Sequence, residues 1–347
     1  MTQMNSTSLF GTDRPRALVI AEAGVNHNGH LSVAHHLIDA AADSGADAVK
    51  FQTFSTELVV SADAATADYQ AQRGAGQSQR DMVRALELAP SVWSELQAHA
   101  TERGLQFVST AFDRPSAELL VGLGVPFLKV PSGEIDNLGF LRWLAQLGKP
   151  LLISTGTADQ AEVAAALEAT TDAPERVLLH CVSAYPAPIE AANLLALPTM
   201  RAAFGVEVGW SDHTNGPISA IAAIALGATV LEKHITLDGN MTGPDHAASA
   251  DPSVFAAYVA AIRAAERSLG TGTKKPDDVE ADVRRAGRRS WHATRDLPVG
   301  RRIQPGDVVA LRPATGLPPS VDIEGHLVIR ELRRGEPVLA DSISGSP

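Results

Sequence analysis

Ala17-Leu-Val-Ile-Ala-Glu22, the helical stretch Leu31–Ser44 and then Ala48-Val-Lys-Phe-Gln-Thr-Phe54 together read as one strand–helix–strand unit. Both outer runs are short and nearly all apolar, as strands buried on two faces must be. The middle stretch is rich in alanine and leucine, with apolar residues recurring at helical spacing. Polar groups arrive at the strand ends: Glu22 in the first, Lys50 and Gln52 in the second.

The same unit recurs along the chain. Further strand candidates are Gln106–Phe112, Phe127–Pro131, Pro150–Thr155, Arg176–Val182, Glu207–Ser211 and Thr229–Thr236, with helical patterns such as Ser91–Arg103, Ala158–Thr170, Pro217–Leu226 and Pro252–Leu269. Eight β–α units in succession predict an α/β fold whose parallel sheet closes into a (β/α)8 TIM barrel. Order alone cannot show closure, so a doubly wound open sheet is the other reading. No Gly-x-Gly-x-x-Gly follows the first strand, which removes the main argument for a dinucleotide fold.

The barrel is expected over residues 17–270, after a polar, flexible N-terminus at 1–16. Gly270-Thr-Gly-Thr-Lys-Lys-Pro276 reads as its exit. Residues 271–289 form a charged linker carrying Arg284, Arg285, Arg288 and Arg289, and 290–347 read as a small β-rich module. Its strand-like pieces are Trp291–Ala293, Val308–Leu311 and Leu327–Ile329, divided by glycines.

A net charge of -11 argues against broad electrostatic binding to nucleic acid or an anionic membrane surface. The single cysteine, Cys181, allows no intramolecular disulfide and sits in the apolar run Val177–Val182, where it reads as a small core residue. Met1–Arg16 lacks an apolar signal core and no run has bilayer length, so a cytoplasmic protein without membrane segments is expected.

In such barrels the reactive groups gather at the C-terminal ends of the strands. Lys50 and Lys129 fall there, with Ser132, Ser154, Ser183 and Ser211 at the same rim, a cradle suited to a phosphate or carboxylate. Gly209-Trp-Ser-Asp-His213 and Leu231-Glu-Lys-His234 each end in a histidine where strand gives way to loop. Two imidazoles there can hold a divalent metal as a partial site, or be a satisfied pair. Glu22 and Glu134 are the carboxylates nearest the rim, fit for proton transfer or for gripping sugar hydroxyls, and alternatively for salt bridges to the lysines. Asp245 follows in Thr242-Gly-Pro-Asp-His246, while Asp212 and His246 read as supporting groups and Asn26-His-Asn-Gly29 as a structural turn. Lys233 is the candidate for a Schiff base, but alternation turns it toward the helices if His234 faces the barrel interior.

These motifs together resemble the sialic acid synthase family. The matching runs are Ile20–Gly29, Gly45–Phe54, Lys129-Val-Pro-Ser-Gly-Glu134, Ser154-Thr-Gly156, Ser211-Asp-His-Thr214, Glu232–Asp238 and Gly243-Pro-Asp-His246, in the family's order across the whole barrel. The tail, with Arg288-Arg-Ser290 and Gly300, resembles the family's antifreeze-like SAF domain. The resemblance implies a metal-dependent condensation of phosphoenolpyruvate with an open-chain N-acetylmannosamine-type sugar, giving a nine-carbon sialic acid of N-acetylneuraminate or legionaminate type. It implies that Lys50, Lys129, Ser132, Ser154, Ser183 and Ser211 hold phosphoenolpyruvate. His213 and His234 would bind Mn2+ or Mg2+, and Glu22, Gln52, Tyr185 and Asp245 would contact the sugar. Glu22, Glu134 and Lys129 form the expected catalytic set.

The resemblance further implies a domain-swapped homodimer, in which Arg312 of Arg312-Pro-Ala-Thr-Gly316 reaches the partner's site; Ala314 stands where the family has glycine. The first motif, Glu22-Ala-Gly-Val-Asn26, argues against a pseudaminic acid substrate. The acceptor stays open, with residues between Thr56 and Gln79 the expected arbiters. A Schiff-base pyruvate aldolase on the same barrel and a non-catalytic carbohydrate-binding protein are the rival readings.

Overall fold

A computed structural model describes residues 10, 16–61, 64 and 78–345. The expectations for most of 1–16, and for 62–63 and 65–77 of the acceptor loop, lie outside the described residues. Eight parallel strands close on themselves in sequence order, which settles the barrel over the open sheet. They are β1 (Leu18–Gly24), β2 (Ala48–Thr53), β3 (Gln106–Ala111), β4 (Leu128–Val130), β5 (Leu151–Ser154), β6 (Arg176–Cys181), β7 (Glu207–Ser211) and β8 (Val230–His234).

The helices of this unit are α1 (Leu31–Asp43), α2 (Thr56–Val59), α3 (Gln79–Leu86), α4 (Trp93–Glu102), α5 (Arg114–Leu123), α6 (Leu138–Ala145), α7 (Gln160–Ala169), α8 (Ala196–Phe204), α9 (Ile218–Ala225) and α10 (Pro252–Leu269). Their starts follow capping chemistry: Asp113, Asp159 and Asp251 each accept a backbone N–H in the first turn, and Asp159 forms a capping box with Glu162.

Both faces of the strands are buried, and they do different work. One face packs on the helices in a large apolar cluster that includes Val49, Phe51, Leu178, Val208, Trp210 and Leu231. The other face fills the barrel's interior with a separate cluster of Leu18, Ile20, Ala48, Val108, Phe127, Leu152, Val177, Leu179 and Val230. Because side chains alternate along a strand, the next inward positions after that apolar layer are Glu22, Lys50, Thr110, Lys129, Ser154, Cys181, Ser211 and Glu232. The polar site is thus the top layer of the barrel interior, resting on an apolar plug. Gly209 shows how tight the interior is: a Cβ there would lie 2.4 Å from the Val230 carbonyl oxygen and 2.7 Å from Leu179.

The chain divides into two compact units, Met1–Gly270 and Thr271–Pro347. In the second, α11 (Ala281–Gly287) leads into β9 (Ser290–Ala293), which pairs antiparallel with β10 (Val308–Leu311). The third strand-like piece, Leu327–Ile329, makes only single bridges, Arg302 with Leu327 and Val328 with Ile343. The chain bends at Ile329 and Arg330, which ends the extended piece before a ladder can form. A compact apolar centre of Leu297, Ile303, Ile323, Val328, Leu332 and Val338 holds the module together. Asp307 is buried beneath it with Arg295, Arg301 and the Gln304 amide as partners. No helix among the described residues is long and apolar enough to cross a membrane.

Candidate active site

Strand register brings the charged residues face to face. Glu22 on β1 is paired in register with Lys50 on β2 and with His234 on β8, and Thr110 on β3 with Lys129 on β4. The Lys50 ammonium lies 2.6 Å from Glu22 Oε2 and 3.7 Å from Glu232 Oε2, and donates to Thr110 Oγ1 at 2.8 Å. Lys129 Nζ donates to Glu232 Oε1 at 3.2 Å, which also accepts from Ser211 Oγ at 3.1 Å. Gln52 Nε2 donates to Glu22 Oε1 at 3.0 Å. The result is a four-membered buried network of two cations and two carboxylates, net neutral before any anion enters.

The network separates its two carboxyls. Burial pushes the Glu22 carboxyl up, with Lys50 opposing and Glu232 reinforcing the rise. Burial acts the same way on Glu232, but Lys129 and then Lys50 outweigh it and hold that carboxyl at about 2. Two acids pushed apart by their surroundings can play different parts, one fixed as an anion and the other able to carry a proton. Among the lysines, burial lowers Lys129 despite Glu232, whereas Glu22 and Glu232 overcome burial at Lys50 and raise it.

A cavity of about 410 Å³ opens above this network. It is lined by Glu22, Lys50, Gln52, Lys129, Ser132, Ser154, Ser183, Tyr185, Ser211, His213, His234 and Asp245, so most of the residues singled out from sequence converge on one space. Glu134 does not line it. Its carboxylate instead accepts from Asn137 Nδ2 at 2.7 Å, because β4 has already ended and a short helical turn over Ser132–Glu134 sets its direction. Arg312 belongs to the second unit. Gly156 leaves room beside the serines: a Cβ there would fall 2.3 Å from Ser183 Oγ and 2.8 Å from Ser132 Oγ. Cys181 lies under this corner, 3.3 Å from Ser132 Oγ, and burial pushes its thiol up, away from thiolate chemistry.

Glu232 is the residue that sequence reasoning passed over. The alternation that turns Lys233 outward also turns Glu232 inward beside His234, so the signal was present. Lys233 does face the helices, donating to the Thr214 carbonyl at 2.6 Å and lying 5.0 Å from the centre of the Tyr258 ring. That removes it as a Schiff-base nucleophile.

His213 and His234 stand with ring centres 5.5 Å apart, and Tyr185 lies 4.3 Å from the first. Burial lowers both imidazoles, so they are neutral with lone pairs to offer. His213 Nδ1 donates to the Val182 carbonyl at 2.7 Å, which leaves Nε2 as the free acceptor. His234 Nδ1 is buried without a hydrogen-bond partner, 4.0 Å from Asp245 Oδ2. A neutral imidazole oriented through its other nitrogen, beside an orphaned buried nitrogen, fits a divalent cation. No group of three or more His, Cys, Asp or Glu among the described residues is arranged to hold a metal, so the protein share would be these two imidazoles.

The loops after β1 and β8 are locked together around Asp245. Asn26 Nδ2 donates to the Ile235 carbonyl at 2.8 Å and to Ser249 Oγ at 2.9 Å, and Asn28 Nδ2 donates to the Thr242 carbonyl at 2.9 Å. His246 bridges Asn28 Oδ1 at 3.1 Å and Thr236 Oγ1 at 2.6 Å. The Asn26–Gly29 turn is therefore a clamp on the segment that carries Asp245 into the cavity.

A closed (β/α)8 barrel whose rim carries two lysines, three carboxylates and two neutral histidines in one cavity defines an enzyme site suited to an anionic substrate. The chain belongs to the NeuB family, whose model matches residues 37–274, and it carries a SAF domain, matched over residues 288–344. It is a sialic acid-type synthase, a phosphoenolpyruvate-dependent condensing enzyme, which overturns the non-catalytic reading. The chain is 43% identical over 334 residues to an N,N'-diacetyllegionaminic acid synthase of Legionella pneumophila, covering 94% of each. It is 33% identical to an N-acetylneuraminate-9-phosphate synthase of Mus musculus, over 94% of this chain and 92% of that one. The crystal structure of an N-acetylneuraminic acid (sialic acid) synthetase from Leptospira borgpetersenii, in complex with citrate, superposes with a TM-score of 0.68 at 32% identity, over 77% of this chain and 90% of that chain.

Proposed function

We propose that this enzyme joins phosphoenolpyruvate to an open-chain N-acetylmannosamine-type sugar, releasing phosphate and a nine-carbon 2-keto acid of the N-acetylneuraminate or legionaminate type. The observation that carries this reading is the Glu22–Lys50–Glu232–Lys129 network at the floor of a cavity whose rim holds Ser132, Ser154, Ser183 and Ser211. Lys50 and Lys129 neutralise the substrate's carboxylate and phosphate, and the serine hydroxyls orient them. Fixing one reactant this way turns a bimolecular encounter into a positioned reaction. Gln52, Tyr185 and Asp245 grip the sugar chain so that its aldehyde carbon meets C3 of phosphoenolpyruvate. A divalent ion, Mn2+ or Mg2+ held by His213 and His234, supplies Lewis-acid polarisation of the aldehyde oxygen when bound. Water adds at C2 once the new C–C bond has formed, and Glu22 takes up its proton before phosphate leaves. Glu232 stays ionised and keeps both ammonium groups charged and in place.

We read the protein as a homodimer in which Arg312 of one subunit reaches the sugar in the other, working in the cytoplasm. The test is an assay of the purified protein with phosphoenolpyruvate, N-acetylmannosamine and Mn2+. Phosphate and 2-keto acid should form in equal amounts, a chelator should abolish both, and added Mn2+ or Mg2+ should restore them. Activity that survives rigorous metal removal sinks the metal's role. In the same assay Arg312→Ala should raise the sugar KM by roughly tenfold, the scale of one lost charge-assisted hydrogen bond. An unchanged sugar KM removes Arg312 from the site.

A further inference from the structure

The cavity has two chemically opposite halves. Its floor is the charged network; its outer wall is built by Val59 and Val60 at the end of α2, by Met82, Val83 and Leu86 on α3, and by Phe112 after β3. This wall is constructed rather than incidental. Met82, Val83 and Leu86 share one face of α3, while Arg80 and Arg84 are drawn to the opposite side by Glu57 of α2. Ser78 caps the helix start by accepting from the Asp81 amide. At the far end Thr56 donates to Glu87 through both its amide, at 3.0 Å, and its hydroxyl, at 2.6 Å. The Ala85 carbonyl sits so near Gly29 that a Cβ there would lie 2.3 Å from it. The two helices are therefore held against the barrel rim with their apolar side turned inward.

Among the described residues the cations lining the cavity are Lys50 and Lys129, both at the floor and both facing carboxylates. A charged group set against this wall at the outer end of a bound sugar would meet valine, methionine, leucine and phenylalanine and would lose hydration there.

We propose that Val59, Val60, Met82, Val83 and Leu86 form a specificity wall that selects an acceptor whose end distal to the aldehyde is uncharged and methyl-bearing. That chemistry belongs to an amino sugar deoxygenated at its terminal carbon and acylated on a second nitrogen, and it excludes a sugar phosphorylated at that carbon. The inference rests on the amino-sugar reading above and deepens it.

The experiment compares kcat/KM for three acceptors: N-acetylmannosamine, its 6-phosphate, and the 2,4-diacetamido-2,4,6-trideoxy sugar of the same configuration. The deoxygenated sugar should lead N-acetylmannosamine by at least about tenfold, the discrimination that methyl-sized differences give in an apolar pocket. The 6-phosphate should be the poorest. Val83→Thr and Met82→Gln keep shape while adding polarity. Each should lower kcat/KM for the deoxygenated sugar by about tenfold, change N-acetylmannosamine less, and leave the phosphoenolpyruvate KM unmoved, with unfolding curves confirming that the variants fold. Preference for the 6-phosphate overturns the proposal, as does an equal loss on all three acceptors in both variants. Turnover of none of the three would remove the amino-sugar reading itself, and the wall's role with it.

Discussion

Lys129→Met should lower kcat/KM for phosphoenolpyruvate by about a thousandfold, the upper range for removing one preorganised charge from a site closed to water. Lys129 is buried, and with Lys50 it is one of the two lysines that line the cavity among the described residues, facing a substrate that carries a phosphate and a carboxylate. Methionine keeps the length and apolar stem but removes the ammonium. The loss also reaches the fold, because Glu232 then shares Lys50, 3.7 Å away, with Glu22 at 2.6 Å. Breaking a buried pair of this kind costs about 3–5 kcal/mol when a charge is stranded. Phosphate release under steady-state conditions, read beside urea unfolding of the same variant, separates the two effects. A phosphoenolpyruvate kcat/KM within twofold of the parent enzyme would falsify the assignment of Lys129 to anion binding.

Acidification should destabilise the barrel through His27. This residue is fully buried at the start of the β1–α1 turn, and its Nδ1 accepts the Gly29 amide at 3.0 Å, so it cannot take a second proton without losing that bond. Burial, with smaller contributions from His30 and His246, lowers it from 6.5 to about 4. The unfolded chain therefore binds the proton first. His27's contribution is intact above about pH 6.5, falls as the pH drops toward 4, and at full loss amounts to about 3 kcal/mol. Chemical denaturation at a series of pH values should show this slope in the parent enzyme and a flatter one in His27→Gln. Parallel curves for the two proteins would show that His27 does not carry the dependence.

Much of the site was legible because its residues sit on strands, where position along the chain dictates direction. Lys50, Lys129, Ser154, Ser211, His213 and His234 were placed at one rim by their location at strand ends, and the cavity gathers all of them. Glu134 lies beyond β4, where the chain turns and alternation no longer governs direction, and it accepts from Asn137 rather than lining the cavity. Glu232 was missed although alternation pointed to it, because the adjacent lysine and histidine drew the chemical reading. The turn Asn26–Gly29 carried no local sign of being a clamp, since Thr242, Ser249 and His246 lie more than 200 residues along the chain and reach it only because β8 pairs with β1.

The sequence by itself determined the order of eight strands and helices, the lysine and serine cradle at the strand ends and the two histidines. All of these follow from periodicity and from strand geometry, which are local. Only the tertiary structure decided that the sheet closes, that Glu22 and Glu232 divide two lysines between them with opposite shifts, and that α2 and α3 present an apolar wall to the cavity. Those properties are set by distances between residues far apart in the chain, and such distances exist only once the barrel brings β1 and β8 together.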